Sequence, residues 1–221
     1  DKNKLFKSYR YGTSSINGMI EDYAFLIWGL IELYQLTFDL NYLNEAKTLS
    51  DYQIDNFWDE ESKGFYFYDI NSESLIVRPK EVYDGAIPSG NSVSAYNFIR
   101  LSKILNNEKY KEIGENTINA FSNQINRSGS GYTMMLHAVD YDFGPSYEVI
   151  ITGSYNDPKT QAILNEVYNS RNLNKIIILI DPNKKEELIN LIPFSEFYFN
   201  TSNKQPRAYI CKNYTCDLPT S

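Results

Sequence analysis

Residues 23–36 read Tyr23-Ala24-Phe25-Leu26-Ile27-Trp28-Gly29-Leu30-Ile31-Glu32-Leu33-Tyr34-Gln35-Leu36. Apolar side chains fall on nearly every face of a helix drawn through this stretch, and a helix of that kind is buried all round. The next segment differs. Tyr42, Leu43, Ala46, Leu49 and Phe57 mark one face at helical spacing, with Asn44, Glu45, Lys47 and Asp51 between them. That pattern is an amphipathic helix with a wet side.

The pair recurs. Val93, Ala95, Tyr96, Phe98, Ile99, Leu101 and Ile104 outline a second apolar helix, and Tyr110, Ile113, Ile118, Phe121 and Ile125 a second amphipathic one. A shift of 68 positions lays Leu30 on Phe98, Ile31 on Ile99, Leu33 on Leu101, Tyr42 on Tyr110 and Ala46 on Gly114. One reading is a diverged helical-hairpin repeat. The other is that two unrelated amphipathic hairpins align about as well. Alternation of a buried helix with a half-buried one is what an α/α toroid produces, inner helices being covered by outer ones. Residues 134–139, with Met134, Met135, Leu136, Ala138 and Val139, add one more inner helix.

Between the hairpins the texture is β-prone. Gly64-Phe65-Tyr66-Phe67-Tyr68-Asp69 and Ser74-Leu75-Ile76-Val77-Arg78 read as two short strands around the turn residues Asn71 and Ser72. Residues 1–18 are polar without a period and read as a loop. After Tyr132 the pattern becomes α/β. Tyr147-Glu148-Val149-Ile150-Ile151-Thr152-Gly153 is a strand, residues 158–168 a helix capped by Asp157, and Lys175-Ile176-Ile177-Ile178-Leu179-Ile180 a strand buried on both faces. A short helix at 184–191 and a last strand, Arg207-Ala208-Tyr209-Ile210-Cys211, follow. Gly153 opens no phosphate loop, since Ser154-Tyr155-Asn156-Asp157 lacks the further glycines of a dinucleotide fingerprint. The expected architecture is therefore mainly α: partial (α/α)6-toroid hairpins with an inserted β-hairpin over 1–145, and a small α/β unit over 146–221.

The 221 residues carry a net charge of −7 with a pI near 4.9. A basic face that could neutralise phosphates is not expected, which argues against nucleic acid and anionic membranes as partners. No apolar run approaches the roughly 20 residues of a membrane span, and no leading segment has signal character, so a cytoplasmic protein is expected. The sequence has one histidine, His137, and two cysteines, Cys211 and Cys216. A structural zinc would need two more ligands beside the cysteines, so no metal and no cofactor are expected. The cysteines read as plain thiols and His137 as an interior histidine.

Trp, Tyr and Phe make up 15% of the chain, enough aromatic surface to line a cleft. Polar clusters stand at loop-to-helix junctions: Glu21-Asp22-Tyr23, Trp58-Asp59-Glu60, and the run from Arg78 through Glu81, Asp84, Ser89 and Asn91 to Ser92. In a toroid such junctions gather at one end of the ring. Two carboxyl groups on opposite sides of a glycosidic bond can cleave it, and aromatic faces bind the apolar sides of pyranose rings. Asp22, Glu81 and Asp84 are the candidate acid/base groups. Tyr23, Trp58, Arg78, Lys80, Tyr83, Ser89 and Asn91 are the candidate ligand-binding groups. Each has a plainer reading. Glu21 and Asp22 serve a helix dipole, Arg78 pairs with Glu81 or Asp84 to fix the loop, and Ser89 or Asn91 caps a helix whose Gly90 packs closely.

These motifs, with Gly64-Phe65-Tyr66-Phe67 and the ending Cys216-Asp217-Leu218-Pro219-Thr220, resemble the thioredoxin-domain-containing proteins of the spermatogenesis-associated thioredoxin-like family. The likeness spans nearly the whole chain. It implies a larger parent, in which an N-terminal thioredoxin-like domain precedes a toroid similar to N-acylglucosamine 2-epimerases and six-hairpin glycosidases. This chain corresponds to the C-terminal part. The epimerases use paired histidines, which His137 alone cannot reproduce. What the resemblance and the residues together imply is a carbohydrate-active or carbohydrate-binding toroid portion with a sugar ligand. The rival is a non-catalytic interaction module that supports the redox domain. In either case the apolar helix at 23–36 would lack part of its cover and self-associate.

Overall fold

The computed structural model describes residues 3–72, 77–201, 205–212 and 215–220. The chain opens on a β-hairpin, β1 (Phe6–Arg10) and β2 (Thr13–Asn17), where the sequence reads as loop. Its turn residues Tyr11 and Gly12 both have positive φ, 52° and 81°, the backbone that a two-residue hairpin turn demands. A Tyr-Gly turn lacks the Asn-Gly signal, so this hairpin escaped the sequence reading.

The helical part comprises α1 (Ile20–Thr37), α2 (Leu40–Phe57), α3 (Gly90–Leu105), α4 (Glu108–Ala120), α5 (Ser122–Arg127) and α6 (Thr133–Phe143). The inner row is α1, α3 and α6; α2 covers α1, and α4 covers α3 and α6. The two hairpins turn alike. Phe38 and Asn106 end α1 and α3 in the left-handed conformation, φ 51° and 50°. Asp39 and Asn107 then cap α2 and α4, accepting from the amides of Asn41 and Tyr110. Both correspondences fall at the 68-residue shift, so the repeat reading has matching turns behind it. Gly114 permits the close crossing of α4 over α3, since a Cβ there would lie 2.6 Å from Ile99 Cδ1; buried Ala46 holds the matching place on α2.

Two expectations on the helices are corrected. The second amphipathic helix breaks at Phe121 instead of running through Ile125. The helix buried all round is α3, with all 16 residues buried, because α1, α4, α6 and the sheet pack around it. Helix α1 leaves Leu26, Leu33 and Leu36 exposed, at 42%, 42% and 63%. The inserted β-hairpin also differs. Residues 64–69 form no named strand, and one bridge joins Trp58 to Phe65. Residues 73–76, which hold most of the other expected strand, lie outside the described residues.

The α/β part is as expected in outline: β3 (Tyr147–Thr152), α7 (Pro158–Asn169), β4 (Lys175–Ile180), α8 (Lys185–Leu191), α9 (Ser195–Thr201), β5 (Arg207–Lys212) and β6 (Thr215–Cys216). Strands β3 and β4 are parallel with α7 between them, β5 and β6 add antiparallel, and the order is β4-β3-β5-β6. The edge of β4 is covered by a side chain. Gln35 donates to Ile177 O at 2.8 Å and accepts from Ile177 N at 2.7 Å, standing in for a neighbouring strand. Tyr168 donates to Gln35 O and Lys184 to Phe38 O. One apolar core runs through residues on both sides of the 145/146 boundary. Cys211 and Cys216 form a disulfide and are not free thiols; β5 and β6 pair them directly.

Candidate functional site

The N-termini of α1, α3 and α6 meet on one rim, with the loops 58–68 and 77–89 lashed across them. Ile20 N donates to Phe67 O, and Phe67 N to Pro79 O. Gly90 opens α3 where a Cβ would lie 2.7 Å from Ile20 Cγ2, so only glycine lets α3 start against α1. Ser89 caps α3 by accepting from Ser92 N. The close-packing and capping roles read from the sequence hold here.

Asp84 is buried, and both its oxygens are occupied. Oδ1 accepts from Ser89 N at 2.9 Å, and Oδ2 accepts from Met134 N and Met135 N at 2.9 and 3.0 Å. The residue before α6 offers no side-chain cap; a carboxylate from 50 residues upstream supplies one and complements the helix dipole. Asn91 is fully buried. Its amide accepts from Phe65 N at 2.7 Å and donates to Phe65 O and Glu81 O at 2.9 and 2.8 Å. It ties the loop of 58–68 to α3 as a strand would. Asp22 accepts from Met19 N at 2.7 Å and closes the first turn of α1. Tyr23 is sealed in the core, stacked on Tyr52 with ring centroids 5.1 Å apart, and its hydroxyl accepts from Leu5 N.

Among the described residues Arg78 pairs with no carboxylate. It donates to Tyr68 O and lies over the Tyr66 ring at 3.9 Å. Lys80 reaches Asp59 at 2.6 Å and Lys63 O at 2.6 Å. Asp59 also accepts from the Tyr66 hydroxyl at 2.8 Å and from Glu61 N and Ser62 N. Burial acts to raise the Asp59 carboxyl, but the Lys80, Tyr66 and backbone hydrogen bonds outweigh it and hold the group well below the carboxylate range. Tyr66 moves the opposite way, pushed up chiefly by its hydrogen bond to Asp59. This Asp59–Tyr66–Lys80 cluster was legible only as scattered residues, since nothing in their spacing joins them. Trp58 is half-buried, edge-on to Phe65, and donates to Glu60 at 2.6 Å.

Glu81 and Glu21 are two carboxylates left uncommitted at the rim. Among the described residues neither side chain accepts a hydrogen bond. Burial is the largest influence on Glu21 and raises its carboxyl; the nearby Glu81 raises it further, Lys7 opposes this, and Asp22 adds to it. Tyr83, 68% exposed, lies against Gly131 and meets Tyr132 edge-on at 6.3 Å. The rim therefore gathers acids and an open aromatic face, yet most of the candidate residues frame it and few face solvent. Among the described residues no group of three or more His, Cys, Asp and Glu side chains could hold a metal ion, and no helix is long and apolar enough to cross a membrane.

No family model matches the chain. It is 30% identical over 203 residues to spermatogenesis-associated protein 20 of Homo sapiens and 31% identical over 205 residues to that of Rattus norvegicus; each alignment covers 91% of this chain and 26% of the relative. An uncharacterised protein of Caenorhabditis elegans is 28% identical over 212 residues, 94% of this chain and 28% of that one. The chain thus spans about a quarter of the length of the curated relatives it matches. Among solved structures, the GH76 alpha-mannanase of Bacteroides thetaiotaomicron aligns with a TM-score of 0.41 at 12% identity, over 65% of this chain and 45% of that one.

Proposed function

We propose that the rim at the starts of α1, α3 and α6 binds a polyhydroxylated ligand, carbohydrate being the class its chemistry fits, within a helical-hairpin portion of a longer protein. The observation that supports this reading is the acid pair. Glu21 and Glu81 lie near enough to raise the Glu21 carboxyl, and both are free of the hydrogen bonds that occupy Asp22 and Asp84. Carboxylates take sugar hydroxyls, and the exposed face of Tyr83 suits the apolar side of a pyranose. A carboxyl raised by burial and by a neighbouring like charge is also the kind of group that serves as a general acid. Asp84, Ser89 and Asn91 hold the frame and touch no ligand in this reading.

The test is a thermal-shift and turnover panel of mono- and disaccharides on the wild-type chain and on Glu81→Gln. A sugar that raises the melting temperature of the wild type and not of Glu81→Gln is the expected result. No shift with any sugar at millimolar concentration refutes the reading.

A second reading has its own observation, the exposed stripe of Leu26, Leu33 and Leu36 on α1. Here the chain is a non-catalytic interaction module. Its inner row meets a neighbouring domain, such as the thioredoxin-like domain that the sequence resemblance implies, or a second copy. Light scattering that reports a clean monomer, unchanged by Leu33→Glu, opposes self-association through this stripe.

A further inference from the structure

Far from the rim, a cavity of about 280 Å³ opens between the C-terminal end of α3, the sheet and α9. Its walls bring together a disulfide and a buried ion pair. Glu148 on β3 stands opposite Cys211 on β5, and Cys211 opposite Cys216 on β6, so the three form a row across neighbouring strands. All three line the cavity, as does Lys103. Lys103 reaches Glu148 at 3.0 Å, with side chains 7% and 5% exposed. The second Glu148 oxygen is buried and has no hydrogen-bond partner among the described residues. Tyr198 places its hydroxyl 3.9 Å from Cys216 Sγ.

We propose that Cys211–Cys216 is a reversible thiol–disulfide exchange site, with a small dithiol as its reductant and the Lys103–Glu148 pair as its acid–base support. Three observations carry this. The bridge spans a sequence separation of only 5, a short loop for which a purely stabilising staple gains least. The two sulfurs are unlike: Cys211 is 2% exposed, whereas Cys216 is open to solvent. And two ionisable groups are held out of water beside the bridge, where their desolvation is offset only in part because one Glu148 oxygen lacks a hydrogen bond among the described residues.

The asymmetry sets the direction of attack. A thiolate of the dithiol attacks Cys216 Sγ, the S–S bond breaks, and its electron pair leaves on Cys211. The new Cys211 thiolate takes a proton through the Lys103–Glu148 pair, which recovers it from water. The second thiol of the reductant then attacks the mixed disulfide and expels Cys216 as a thiol. The dithiol is oxidised to a cyclic disulfide while the protein gains two protons and two electrons.

The native chain is treated with dithiothreitol near neutral pH, and thiols are counted while circular dichroism is recorded. Two thiols are expected per chain with the spectrum unchanged, and oxidised glutathione restores the bridge. Thiols that appear only as the spectrum collapses overturn the proposal, because the bridge is then a staple. Cys211→Ser and Cys216→Ser provide an independent reading. The thiol left at 216 should react with iodoacetamide at least about tenfold faster than the one left at 211; equal rates refute the assigned direction. Glu148→Gln should shift the pH profile of reduction, and an unchanged profile removes the pair from the mechanism. Should Glu148→Gln not fold, the two cysteine variants still decide.

Discussion

Helices α1 and α3 occupy equivalent places in the two hairpins, yet their sequences and their burial run in opposite senses. The first is the greasier and keeps Leu26, Leu33 and Leu36 at the surface. The second carries Ser92, Ser94, Asn97, Arg100, Ser102 and Lys103 and buries every residue. The polar side chains of α3 survive there because each makes at least one polar contact, although among the described residues Asn97 Oδ1 and Arg100 Nε stay without a hydrogen-bond partner. Asn97 donates to Ala24 O, Gln53 donates to Ser94 Oγ, Ser102 donates to Ile99 O, Arg100 meets Glu32 at 2.6 Å, and Lys103 meets Glu148. Arg100 and Glu32 are themselves 68 residues apart, so equivalent positions of the two inner helices are paired to each other. Hydrophobicity reports what a helix tolerates; its place in the layer decides what it buries.

That contrast can be broken by substitution. Phe98→Ala removes a ring stacked on Phe65 and edge-on to Tyr110, and should cost about 3–5 kcal/mol in denaturant unfolding. Leu33→Ala at the exposed matching helix should cost under about 1 kcal/mol; similar losses would mean that α1 is covered after all. Asp84→Asn tests the frame of the rim. It puts an amide N–H where three backbone donors converge, and should cost about 2–3 kcal/mol. An unchanged midpoint would return Asp84 to the list of groups free to act on a ligand.

Asp59 gives a pH signature. Its carboxyl is depressed in the folded state, so its stabilisation is present above the unfolded value near about 4 and is lost as pH falls through the folded one. Melting temperature should therefore drop on acidification. Lys80→Met should flatten that drop and cost about 1–2 kcal/mol at neutral pH, solvent screening holding the figure down. The smallest effect has the opposite sign. The Glu21 carboxyl is raised, so its charged form works against the fold as pH rises through the folded value. Glu81→Gln removes one of the like charges and should stabilise the chain by a few tenths of a kcal/mol at neutral pH; any destabilisation would show that Glu81 has a partner.

Much of the helical frame was legible because it rests on local chemistry. The hairpin pattern, the caps at Ser89 and Asp157, and the buried run at 175–180 are set by neighbours in the chain. The β-hairpin at 6–17 was not legible, since its turn uses Tyr11-Gly12. At the rim the motifs stood out, but what each side chain does there did not. Asp84 looks like a catalytic acid in a list of residues and becomes a helix cap only when α6 arrives from 50 positions away. The Lys103–Glu148 pair and the disulfide gave one faint signal, a lysine at the end of an apolar helix.

The order of residues alone settled that alternate helices would be greasy and half-wet, that the last third would form strands around one crossover helix, and that the chain would be acidic. Periodicity and charge are properties of short windows, and short windows are all that such a reading uses. Which acid is occupied and which is open, which inner helix is enclosed, and which sulfur faces water were decided by packing. Those outcomes depend on groups dozens of residues distant, whose meeting no local pattern encodes.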